Sequence, residues 1–155
     1  RALNSFPTRR SSDLADVKAN VDVISRIESL GLKFGTDYVA MYDSTMARFW
    51  FMNDKSRERI NSILNKIEGG YIVTDQELRK MRVFFSDYRF GHTIFLMNAG
   101  TLIVPSFMGL TSIAGMHGYH PYDKDSYCFI LGGKPISEQI NSITDIRKVM
   151  EQEII

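Results

Sequence analysis

Two of the chain's three histidines, His117 and His120, stand in one glycine-rich run, Gly115-Met116-His117-Gly118-Tyr119-His120-Pro121-Tyr122. Imidazole is a common zinc ligand, and glycine lets a loop turn tightly enough to aim a side chain into a cleft. Zinc needs three or four ligands, so this run alone is either one arm of a metal site or a loop whose histidines pack and hydrogen-bond. His92 stands beside a strand-like run, where packing accounts for it. Asp43-Ser44-Thr45 offers hydroxyls that could act as nucleophiles. With no histidine or metal-ligand cluster next to it in sequence, it reads instead as a polar hairpin turn. Phe49-Trp50-Phe51 could stack on a nucleobase, but aromatic enrichment is also how a strand fills a core, and that is the simpler reading. Asp87-Tyr88-Arg89 reads as a solvated turn, and Cys128, between Tyr127 and Phe129, as a small packed residue.

The elements that must position these residues follow from periodicity and capping. Val17, Val21, Ile24 and Ile27 fall at helical spacing from Asp16, with Leu30 ahead of Gly31, which predicts a first helix over 16–30. Asp37 to Tyr42 and Ala47 to Met52 are rich in Tyr, Val, Phe and Trp and read as paired strands. Asn53 or Asp54 caps a helix carrying Ile60, Ile63, Leu64 and Ile67, stopped by Gly69-Gly70. Thr74 and Glu77 form a capping box that starts a short helix running to about Met81. Strands are expected at Thr93 to Met97, Leu102 to Val104 and Ser126 to Leu131, with a long irregular stretch from Pro105 to Lys124 between the last two. A loop that long is commonly functional. Ser142 or Thr144 caps a closing helix with Ile146, Val149 and Met150 on one face. Alternating helices and strands predict an α/β architecture with a small α+β insertion over 37–83.

At 155 residues and 44% hydrophobic side chains, the chain can bury one core. Its net charge is +1, with both signs mixed along the chain, so no basic stripe points to nucleic acid. The single cysteine, Cys128, cannot form an internal disulfide. No apolar run approaches the roughly 20 residues that span a bilayer, so no membrane segment is expected. Residues 1–14 cluster Pro, Ser and Arg without a period of strand or helix, and Ser5 to Leu14 resembles the in-frame translation of a short-read sequencing adapter. That segment is expected to add nothing to the fold, and without it 16 basic and 17 acidic residues remain.

The run Gly115 to Pro121, followed by the expected strand and helix, resembles the end of the catalytic domain in the type I phosphodiesterase/nucleotide pyrophosphatase family, a branch of the alkaline phosphatase superfamily. Gly91-His92-Thr93-Ile94-Phe95 and Pro105-Ser106-Phe107 resemble family segments ahead of that loop. The resemblance covers most of 15–155, most closely from 91 to 150. It implies the C-terminal part of a three-layer α/β/α catalytic domain, and His117 as the zinc-ligating histidine of a Gly-x-His-Gly-Tyr loop. His120 is not carried over, because family sequences often show an acidic residue there.

The family's Thr or Ser nucleophile, its other metal ligands and its Asp-His-Gly segment have no counterpart in 15–155. They are expected N-terminal to Asp16, which makes this chain a fragment that is inactive alone. In the intact family site two zinc ions about 4 Å apart stabilise the attacking and leaving oxygens, and an activated hydroxyl forms a covalent phospho-intermediate. The implied substrate is a small phosphoester or a nucleotide. The rival readings are a sulfatase or phosphomutase relative of the same superfamily, and a non-catalytic binding module using the glycine-rich loop. The upstream sequence separates them, since an enzyme of this kind needs its nucleophile and Asp-His-Gly segment.

Overall fold

The computed structural model describes residues 14–126, 140 and 145–153. Its centre is a hairpin of β3 (Tyr38–Tyr42) and β4 (Met46–Phe51), closed where the Asp43 N–H donates to the Met46 carbonyl at 2.8 Å. Alternation decides which side chains enter the core. Tyr38, Ala40 and Tyr42 of β3, and Ala47 and Phe49 of β4, point inward. The Tyr42 and Phe49 rings meet edge to face at 5.7 Å. Burial raises the Tyr42 phenol well above its ordinary pKa, so it stays neutral.

Helix α2 (Asp54–Leu64) follows β4 and is capped by the Asn53 side chain, which accepts the Ser56 N–H at 2.9 Å. Its buried face carries Ile60 and Leu64. The chain then adds β5 (Gly70–Ile72), helix α3 (Asp75–Lys80) and β6 (Thr93–Met97). The strand order is β3-β4-β6-β5, every neighbouring pair antiparallel. β4 and β5 therefore run in the same direction on either side of β6, and α2 makes the crossover between them. Because β6 lies beyond residue 83, the sheet begun within 37–83 is completed by a strand outside that span.

Two small pairings tie the N-terminal segment to the later half. β1 (Ala15–Asp16) pairs antiparallel with β8 (Gly115–Met116), and β2 (Ala19–Val21) pairs parallel with β7 (Thr101–Ile103). Only then comes helix α1 (Val23–Glu28), capped by Asp22, whose side chain accepts the Ser25 N–H at 2.9 Å. This corrects the helix expected over 16–30. The pairings of 15–16 with β8 and 19–21 with β7 hold this segment extended, and the N–H groups of Val17, Lys18 and Ala19 donate to Ala114 and Gly100. Val17 and Val21 still pack on the core, which is what their spacing reported.

The capping box is present as expected, with the Thr74 hydroxyl and Glu77 carboxylate each satisfying the other's backbone N–H. β6 spans the expected residues, and β7 ends one residue earlier than expected. The stretch from Pro105 contains β8 and ends in a 3-10 turn at Lys124–Ser126. Helix α4 (Ile146–Glu153) is the closing helix. The rest of the strand expected to Leu131, and the caps at Ser142 or Thr144, lie outside the described residues, as does the segment 1–13. Among the described residues the architecture is mixed α/β, with one four-stranded and two two-stranded sheets and four α-helices. One buried cluster links α1, β3, β4, α2, β6 and β7 with Tyr119 from the histidine loop.

Candidate functional site

The histidine loop is held on both sides of His117. Upstream, Met116 pairs with Ala15 and Gly115 with Asp16. Downstream, the Gly118 carbonyl accepts the Thr45 hydroxyl at 2.9 Å. Gly118 has φ +89°, a conformation that L side chains avoid, and a Cβ added there would lie 3.1 Å from the Thr45 Oγ1. Tyr119 then drops into the core at 7% exposure, and burial raises its phenol pKa. Between these anchors the His117 imidazole is exposed, with no hydrogen bond or ring contact among the described residues.

The other two histidines have structural partners. The Phe51 N–H donates to Nδ1 of His92 at 3.0 Å, and the His92 ring lies 6.0 Å from Phe51 and 5.2 Å from Tyr88. Burial, and next the positive charge of Arg57, hold its pKa below the ordinary value. His92 lines a cavity with Leu78, Phe84 and Tyr88 whose space is about 20 Å³, room for about one water. A nucleotide does not fit it. His120 accepts the Tyr122 N–H on Nδ1 at 3.2 Å, with the two rings 5.4 Å apart. The Lys80 ammonium lies 5.6 Å from the Tyr122 ring, so this end of the loop leans on α3. Glu77 of that helix is held below its ordinary pKa first by the Thr74 N–H, next by the Thr74 hydroxyl, and in smaller part by His120.

Asp43-Ser44-Thr45 is the hairpin turn expected, yet it is not solvated. Ser44 and Thr45 are buried, and their carbonyls accept the N–H groups of Ile103 at 2.7 Å and Met97 at 2.8 Å. Phe49 is a core residue, while the Trp50 indole donates to the Tyr88 carbonyl at 3.1 Å. Asp87 and Arg89 form an exposed ion pair at 2.7 Å. Cys128 lies outside the described residues.

An imidazole that is exposed and without a partner among the described residues, on a backbone held at both sides, could serve a metal only as a single donor. Among the described residues, no group of three or more His, Cys, Asp and Glu side chains is placed to hold a metal ion. His117, His92 and His120 do not converge on one centre. Among the described residues no helix is long and apolar enough to cross a membrane. What sequence reading missed is the bond from Thr45 to Gly118, 73 positions away, with no local signal joining the two. The chain matches no protein-family model and no curated protein.

Proposed function

We propose that the chain is part of a zinc-dependent hydrolase of phosphodiesters or pyrophosphates, of the type I phosphodiesterase/nucleotide pyrophosphatase kind, with His117 as one zinc ligand. In this reading residues 15–155 form the C-terminal part of an alkaline phosphatase-like three-layer domain. The nucleophile and the remaining ligands come from the chain N-terminal to Asp16. The observation that carries the reading is the contrast among the histidines. His92 and His120 each accept a backbone N–H, whereas His117 has no hydrogen bond or ring contact among the described residues and is presented on a doubly anchored glycine turn.

The residues of this chain have defined tasks. β8 and Gly118 fix where His117 leaves the backbone, and Tyr119 anchors the loop in the core. Ligation requires the neutral imidazole, so zinc affinity weakens as pH falls. When bound, zinc polarises a phosphoryl oxygen and stabilises charge on attacking and leaving oxygens. The substrate on this reading is a small phosphoester or a nucleotide.

The test is a paired substitution in the intact protein. His117→Ala removes an inner-shell ligand and lowers both zinc stoichiometry and turnover of a nitrophenyl phosphodiester. His120→Ala leaves zinc content nearly intact. Equal losses from the two variants, or a loss only with His120→Ala, refute the assignment.

A further inference from the structure

The β3–β4 turn has more anchoring than a hairpin needs. Its closure is complete once the Asp43 N–H meets the Met46 carbonyl, and no step of that closure uses the Thr45 hydroxyl. Three neighbouring carbonyls are also taken by distant segments: Tyr42 by the N–H of Phe107 at 2.8 Å, Ser44 by Ile103 and Thr45 by Met97. The turn is thus bolted to β6, to β7 and to the chain after Pro105. Thr45 is 4% exposed and β-branched, so its χ1 is stiff and its hydroxyl is held on a rigid base. That hydroxyl donates to Gly118, one residue past His117.

We propose that Thr45 is a positioning residue for His117, its hydroxyl fixing the Gly118 carbonyl and with it the direction in which the imidazole leaves the loop. The inference rests on the reading of His117 as a zinc ligand. Gly118 is the joint at which such control is needed. Glycine rotates more freely than any other residue, and this one sits at φ +89° with only 3.1 Å between a notional Cβ and the Thr45 Oγ1. The β1–β8 pairing restrains the chain before His117, and the Thr45 bond restrains it after. Thr45 touches neither metal nor substrate. It acts on the ligand's backbone, as outer-shell partners act on a ligand's ring.

The experiment measures zinc affinity by chelator competition, with the apo melting temperature alongside, for the intact protein and for Thr45→Val, Thr45→Ser and His117→Ala. Thr45→Val keeps the shape and removes the donor, and is expected to weaken zinc binding about tenfold or more, the range for outer-shell losses. Thr45→Ser restores the hydroxyl and is expected to restore the affinity. Unchanged affinity in Thr45→Val overturns the proposal. So does an equal loss in Thr45→Ser, which would assign the effect to the methyl group and its packing. Loss of zinc in His117→Ala with none in Thr45→Val refutes the positioning role alone, whereas full affinity in His117→Ala removes the functional reading beneath it. If Thr45→Val does not fold, Gly118→Ala displaces the same carbonyl with the hydroxyl in place. Reduced zinc affinity in that variant supports the proposal, and unchanged affinity overturns it.

Discussion

Replacing each histidine by alanine in this chain, without metal, distinguishes a residue the fold uses from one it only carries. His92→Ala removes the acceptor of the Phe51 N–H, a bond of 3.0 Å, and leaves that donor half-buried, which costs about 1–3 kcal/mol. Its ring contacts with Phe51 and Tyr88 add about 0.5–1.5 kcal/mol each, toward the low end because the site is half-open. A total of about 2–4 kcal/mol follows. For a domain of this size each kcal/mol moves the melting temperature by about 2–4 °C, so the midpoint falls by about 4–16 °C. His117→Ala deletes an exposed ring with no partner among the described residues, a change of at most about 0.5 kcal/mol. Its midpoint moves by less than about 2 °C. His120→Ala falls between, because water can replace its bond to the exposed Tyr122 N–H. Thermal unfolding at pH 8 reads all three. A drop in His117→Ala as large as that in His92→Ala would make His117 a fold residue and remove the observation on which the zinc reading stands.

The His92 pKa is depressed in the fold, so the folded chain binds that proton more weakly than the unfolded one. Its contribution is full above about pH 6.5 and is lost as pH falls through that value toward the folded pKa. Urea midpoints should therefore decline from pH 7 to 5 in the wild type, and the decline should be shallower in His92→Gln. Gly70→Ala places a Cβ 2.6 Å from Cζ of the buried Phe95 and should destabilise by about 1–3 kcal/mol, while Gly109→Ala, which meets open space, should not. Denaturation of the two variants side by side checks this, and equal midpoints would contradict it. Thr74→Ala removes half of the capping box, costs about 1 kcal/mol of local stability and lets the Glu77 carboxyl pKa rise part of the way to its ordinary value. Amide exchange over 75–80 and a titration followed by nuclear magnetic resonance would detect both effects. Given zinc and a nitrophenyl phosphodiester, this chain alone should show no turnover. Clear turnover that disappears in His117→Ala would overturn the placement of the nucleophile N-terminal to Asp16.

Elements with a local cause are legible in the sequence. α2 is readable because Asn53 caps it and Ile60 and Leu64 fall on one face, and α3 because Thr74 and Glu77 satisfy each other. β3, β4 and β6 carry the β-branched and aromatic residues that fill a sheet. The failures have a common physical origin in partners far along the chain. Val17, Val21, Ile24 and Ile27 have helical spacing, but the spacing records only that they face the core. The N–H groups at 17–19 go to Ala114 and Gly100, and that pairing outweighs a weak helical preference. β5 hides behind Gly69-Gly70, which signals a stop, although Gly70 is the first residue of a strand crossed closely by Phe95.

The candidate site divides along the same line. His117 is legible because a histidine between glycines is a local signal, carried in a few adjacent residues. What holds it is not, because a threonine in a polar turn has the same sequence appearance whether its hydroxyl meets water or a carbonyl 73 residues away. Burial separates the two cases. At 4% exposure an unbonded hydroxyl at Thr45 would cost about 1–3 kcal/mol, so the fold must bring it an acceptor. Gly118 supplies that acceptor in a backbone conformation suited to glycine. The polar turn and the glycine after the histidine are therefore two halves of one constraint on the backbone beside an imidazole that has no partner among the described residues.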